Sequence, residues 1–258
     1  PFENTPDLPP PPGTTGRPGT YTVNEGARQR APSMEGMTSK PFAMRALWAA
    51  TIFLLVIAVA VVTRRAVALW APSTAAPRFP EAAALDAGFS RHRLLTTLHI
   101  FPGLLFLLLG SLQFVKRIRS RHPRLHRSMG RVALASGAAV GVTALVMSPQ
   151  MATGGVNETA ATTFYAIVFL YALGRAFLAI RRGRTALHRE WMIRAFAVGL
   201  AVAAIRPIVG VFFATSRLTH LTPHDFFGAA FWLGFTSMLL AAEVWINATR
   251  PRARPSSI

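Results

Sequence analysis

Residues 99–131, HIFPGLLFLLLGSLQFVKRIRSRHPRLHRSMGR, decide the fold. An apolar run with His99 near its start and Gln113 near its end passes directly into a dense basic stretch. There Lys116, Arg117, Arg119, Arg121, Arg124, Arg127 and Arg131 alternate with His122 and His126. An apolar segment closed by arginine and lysine is the pattern of a membrane helix whose basic end stays in the cytoplasm.

Working outward, five further apolar segments fit the roughly 20 residues needed to cross a bilayer. The six lie near 43–63, 93–116, 129–149, 160–180, 190–213 and 223–247. The expected fold class is therefore all-α, a polytopic bundle of six transmembrane helices. Basic loops follow the second span and the fourth span (Arg181, Arg182, Arg184, Arg189), and Arg250, Arg252 and Arg254 follow the sixth. The intervening loop 150–159 has no Lys or Arg, and 214–222 has only Arg217. Positive charge inside then places both termini in the cytoplasm. The loop 64–92, with Arg64, Arg65, Arg78 and Arg91, runs against this rule, and its remainder has room for a short surface helix.

The organisation expected is a Pro-rich tail over 1–41, a six-helix domain over 42–248 and a basic tail over 249–258. The N-terminal tail, with PPPP at 9–12, has no apolar period and cannot bury enough surface to offset its ordering entropy. It reads as a docking arm for other membrane protein subunits. Local signals support the spans. Thr222-Pro223-His224-Asp225 reads as a capped helix start. Gly183 suits a helix end and Thr185 a cap. Ala133, Gly137 and Gly141 form a small-residue face for close helix contact. Pro102 and Pro207 should bend their helices.

The chain carries 28 Lys+Arg against 10 Asp+Glu, a formal charge of +18. Because the cations cluster at the ends of apolar runs, they read as topogenic charges. Lys116, Arg117, Arg119, Arg121, Arg124, Arg127, Arg181, Arg182 and Arg184 would meet lipid headgroups, not nucleic acid. With no cysteine, disulfides, thiolate metal sites and c-type haem attachment are excluded.

Charged side chains at membrane depth are costly, so each asks for a reason. Arg175, Arg194, Glu243 and Gln113 fall at one depth near the cytoplasmic end and read as a structural layer, Glu243 accepting from Arg194 or Arg175. His99 and Arg206 fall at similar depth in the other half. Arg206 has no carboxylate at its own level, since Asp225 and Glu158 read as nearer the surface. Its partner would be helix carbonyls, a lipid phosphate, a haem propionate or a quinone oxygen. Two-sided histidines raise the idea of bis-histidine haem b. Yet His99 lies about 9 Å inside its helix by the helical rise, and no second histidine shares that depth on another helix. His99 alone would suffice for a chlorophyll-type pigment. The expectation is no bound cofactor, no metal and no catalytic residue, with haem b or a pigment as alternatives.

Several stretches resemble a known family. HIFPGLLFLLLGSLQF (His99, Gly110, Gln113, Phe114), RHPRLHRSMGRV (Pro123, His126, Arg127, Gly130, Arg131), LHREWMIRAFAVGLAVAAIRP (His188, Arg189, Trp191, Met192, Arg194, Arg206) and AAEVWI (Glu243) are similar to the bacterial membrane proteins of domain of unknown function 2306. The resemblance covers roughly 90–247 and implies a bacterial inner-membrane helical protein without implying an activity. The functional reading is a non-catalytic integral subunit or scaffold of a larger respiratory, photosynthetic or transport assembly. The alternative is a haem b- or quinone-linked electron carrier using His99 and Arg206. A transporter has little support, as membrane acids are few and no inverted repeat is visible.

Overall fold

The computed structural model describes residues 35–71 and 80–250, with side chains for 42–71 and 86–250. It is helical, with no strand among the described residues. Residues 1–34 of the expected docking arm and 251–258 of the expected basic tail lie outside them. The chain divides after Met44. Of the first unit only the opening of the first helix is described.

Eight helices follow in order: α1 Glu35–Trp70, α2 Pro80–Arg91, α3 Arg93–Gln113, α4 Lys116–Arg121, α5 Pro123–Met151, α6 Gly155–Arg181, α7 Thr185–Thr219 and α8 Pro223–Thr249. Six of them, α1, α3, α5, α6, α7 and α8, are long and apolar enough to cross a membrane. The chain is a multi-pass helical membrane protein. α3 packs on α5, α5 on α6, α6 on α7 and α8, α7 on α8, and α3 also reaches α7. α1 is held more loosely. Only 6% of its most apolar window is buried, against 28–44% in the other five.

The interior inverts the pattern of a water-soluble bundle. Alanine is the commonest buried apolar residue, while Phe53, Val56, Leu94, Val211 and Val244 are exposed at 60%, 62%, 74%, 63% and 69%. In hydrocarbon there is no hydrophobic gain between helices, so small residues bring backbones close and large ones face lipid. Gly137 and Gly141 work this way. A Cβ at Gly137 would meet Leu173 and Phe106 at 2.9 and 3.0 Å, and one at Gly141 would meet Leu170 at 2.5 Å. Phe106, 1% exposed, is the aromatic hub, edge-on to Phe169 at 5.2 Å and tilted against Phe196 at 6.3 Å.

All six expected spans are helical, but the helices that carry 43–63, 129–149, 160–180 and 190–213 run five to eight residues past at least one of those bounds, and four local readings change. The stretch 116–131 is not a loop: α4 occupies 116–121 and α5 begins at Pro123. Lys and Arg are good helix formers, and Pro fits the first turn, where its missing N–H is not needed. α1 likewise continues through Arg64 and Arg65 to Trp70, and it begins at Glu35, inside the tail read from sequence. The short surface helix exists as α2. Thr185 does not cap α7; Arg184 occupies the cap position without a side-chain bond. By contrast, Thr222 and Asp225 form a reciprocal capping box at α8, and Gly183 ends α6 with φ +70, a left-handed conformation that costs glycine little.

Candidate functional site

The helix order puts the ends of α3, α6 and α8 together with the starts of α5 and α7 at one end of the bundle, here the basic end. At this end Arg194 of α7 and Glu243 of α8 form a two-pronged ion pair, Nε to Oε1 at 2.5 Å and a terminal nitrogen to Oε2 at 2.9 Å. The Arg194 guanidinium also lies 4.6 Å over the Trp191 ring and 3.9 Å from Glu190. Glu190 in turn holds Arg250 at 2.6 and 2.8 Å. Arg175 does not join the pair. It is exposed, bonds the Tyr171 hydroxyl at 2.9 Å one turn back and lies 5.3 Å over Trp191. Gln113 is also separate, its side-chain oxygen set against Gly130 and its Nε2 buried without a partner.

This network yields a graded expectation. Glu243→Gln should cost about 1–2 kcal/mol. That is less than the 3–5 kcal/mol for breaking a fully buried pair, because Glu243 is 38% exposed and Glu190 remains near Arg194. Glu158→Gln should cost less, since an amide oxygen can still accept from Gly154 N–H. Denaturant titration of both variants in detergent tests the order, and a larger loss in Glu158→Gln reverses it.

Toward the opposite end lies a cavity of about 240 Å³, walled by α1, α3, α5, α6, α7 and α8, with Phe89 of α2 at its edge. His99 and Arg206 both line it. Between them the wall is mostly apolar, including Phe106, Phe169, Val198, Phe231 and Phe235. Its other polar members are Arg65, Ser148, Glu158, Thr162 and Tyr165. Glu158 corrects the sequence reading: it lies in the same wall as Arg206, only 8% exposed, and not out at the surface. The reason is local. Glu158 sits in the first turn of α6, and its carboxylate folds back to accept the Gly154 N–H at 2.6 Å, satisfying one free amide of the helix start.

Each cation in the wall has a different fate. Arg65 pairs with Asp86, which Arg64 also holds at 2.8 Å, and its guanidinium lies 3.8 Å over Phe89. Arg206 has no carboxylate within 4.0 Å among the described residues. Among the described residues its buried Nε has no hydrogen-bond partner. A buried donor left unmade costs about 1–3 kcal/mol, more when charged.

His99 is held by Thr143 of α5, Nδ1 to Oγ1 at 3.0 Å. The Thr143 hydroxyl lies 2.7 Å from its own helix's Ala139 carbonyl and donates there. Its oxygen therefore accepts from His99 Nδ1–H, a tautomer assigned from the network. Nε2 then carries the lone pair. Among the lining residues His99 is the one histidine. Tyr165 exchanges a hydrogen bond with Thr236 at 2.7 Å and stacks on Phe235 at 4.7 Å, so its hydroxyl is engaged. The arrangement offers one cationic donor, one neutral acceptor and a large apolar wall. The histidine and arginine carried the signal in the sequence; Glu158, Arg65 and the cavity itself did not, as each depends on how distant helices meet.

The profile of DUF2306, described as a predicted membrane protein, matches residues 96–246. That is more than half of the chain, and the chain belongs to this family. No curated protein and no solved structure matches it.

Proposed function

We propose that this member of the DUF2306 family holds a lipid-soluble molecule of the quinone class in its intramembrane cavity, as a quinone-linked electron-carrying subunit of a membrane assembly. The observation that carries this reading is the unpartnered Nε of Arg206 in one cavity with His99, whose Nε2 accepts. A quinone carbonyl accepts from the guanidinium, the matching quinol hydroxyl donates to the imidazole, and the aromatic wall receives the ring or its tail. Sites for apolar ligands commonly have this composition, mostly hydrophobic with a few convergent polar groups. Bis-histidine haem b fits less well, because it needs two facing histidines and one lines the cavity. A pigment would use His99 and leave Arg206 without a role. The non-catalytic scaffold reading rests on the tail and the small-residue helix faces, and the tail's residues 1–34 are not described.

Binding of a short-chain quinone to the purified full chain in lipid nanodiscs tests the proposal. Arg206→Leu and His99→Leu should each weaken binding at least tenfold, equivalent to about 1.4 kcal/mol. Unchanged affinity in both variants overturns it. We place the protein in a bacterial inner membrane with both termini cytoplasmic, on the strength of the basic end. Reporter fusions at Gly154 and after Ile258 should then report opposite sides, and a common side reverses the assignment.

A further inference from the structure

We propose that the seam between the end of α3 and the start of α5, beneath α4, is a binding site for the phosphate group of an anionic phospholipid. Two independent observations meet there. The first is a pair of buried polar atoms without hydrogen-bond partners, Gln113 Nε2 on α3 and His126 Nδ1 on α5. They belong to one seam. The Gln113 side-chain oxygen lies 3.3 Å from where a Gly130 Cβ would stand, and His126 is one turn before Gly130 on the same helix. The Arg119 guanidinium of α4 acts on His126 through its charge. A buried polar atom left unpaired is uncommon in a native structure and asks what satisfies it.

The second observation is an imbalance of charge. The acids of the basic end, Glu190 and Glu243, are taken up by Arg194 and Arg250. The sequence has no Asp or Glu from 87 to 157. Lys116, Arg117, Arg119, Arg121, Arg124 and Arg127 are all exposed, and among the described residues none has a carboxylate within 4.0 Å. These cations sit where two membrane spans end, at headgroup level. Each cation near an anionic surface adds about 1 kcal/mol of attraction, and arginine suits phosphate because its planar fork meets two oxygens at once. Phosphate oxygens only accept, and they would draw on the Gln113 amide, a His126 ring N–H and the adjoining guanidinium groups. Phe114 and Val115 separate the end of α3 from the start of α4, so the basic α4 follows directly on the end of a membrane span.

The test uses the full chain in nanodiscs of phosphatidylglycerol or phosphatidylcholine, with thermal unfolding and phosphorus retained after detergent extraction as readouts. Phosphatidylglycerol should raise the melting temperature and leave phospholipid on the purified protein. Arg127→Gln and Arg119→Gln, both at exposed positions, should each cut the retained lipid at least threefold, and Gln113→Leu should do the same. Arg217→Gln, exposed at the far end of α7, should leave it unchanged. Equal behaviour in the two lipids overturns the proposal. So does an equal loss in the Arg217 variant, which would mean diffuse screening. A matching shift from inorganic phosphate alone assigns the site to a free anion and overturns the lipid. Quinone binding in the cavity is measured separately, so either outcome leaves the other reading standing.

Discussion

Phe106→Ala should destabilise the protein by about 3–5 kcal/mol, the range for removing a fully buried phenylalanine. Phe106 is 1% exposed and contributes twice. Its ring meets Phe169 and Phe196 from two other helices. It also fills the space that Gly137 and Gly199 leave open, where a Cβ would stand 3.0 and 2.7 Å from the ring. Truncation leaves α3, α5 and α7 without a common filler and enlarges the neighbouring cavity, so collapse cannot recover the loss. Unfolding by denaturing detergent against mild micelles measures it. A loss under 1 kcal/mol would show that α3 shifts to close the gap, and would remove Phe106 as the hub.

Arg206→Met should act in the opposite direction, raising stability by about 1–3 kcal/mol while weakening ligand binding. The size is the cost of a buried donor without a partner, and Met keeps the length of the side chain with no charge to desolvate. Stabilisation with loss of function is the mark of a residue retained for a site and not for the fold. The competing account makes Arg206 a structural counter-charge to Glu158 across the cavity wall. Under it Arg206→Met is destabilising, and Arg206→Met with Glu158→Gln together recover the loss. The sign of one melting-temperature shift decides between them.

The sequence shows the spans because lipid imposes a simple rule: backbone groups must be paired within the segment, so long apolar runs become helices. It shows the α8 cap because Thr222 and Asp225 lie three residues apart and their bond is local. His99 and Arg206 were legible as costly residues at one depth. What depth cannot give is azimuth. Distance from the helix start alone puts Glu158 near the surface; its carboxylate turns back to the Gly154 amide and into the wall. Arg175 and Arg194 are equally near Glu243 in depth, yet Arg194 on α7 meets Glu243 on α8 while Arg175 on α6 is exposed and turns to Tyr171. The cavity needs six helices placed at once, and no single stretch encodes it.

The spans differ in length, and that difference constrains the bilayer. α3 has 21 residues, about 31 Å at the helical rise. α1 from Phe42 to Trp70 has 29 residues and α7 has 35, about 43 and 52 Å by the same measure. The hydrocarbon layer is about 30 Å thick, so α3 just reaches across while the others project or tilt. Arg93 and Lys116 bracket α3 and resist being drawn inward. Thickness is therefore set by the shortest span, and a thicker membrane must pinch locally around α3 at a fraction of a kcal/mol for each ångström of mismatch. In bilayers of increasing acyl length the protein should lose stability step by step, a preference for thin membranes written into one short helix.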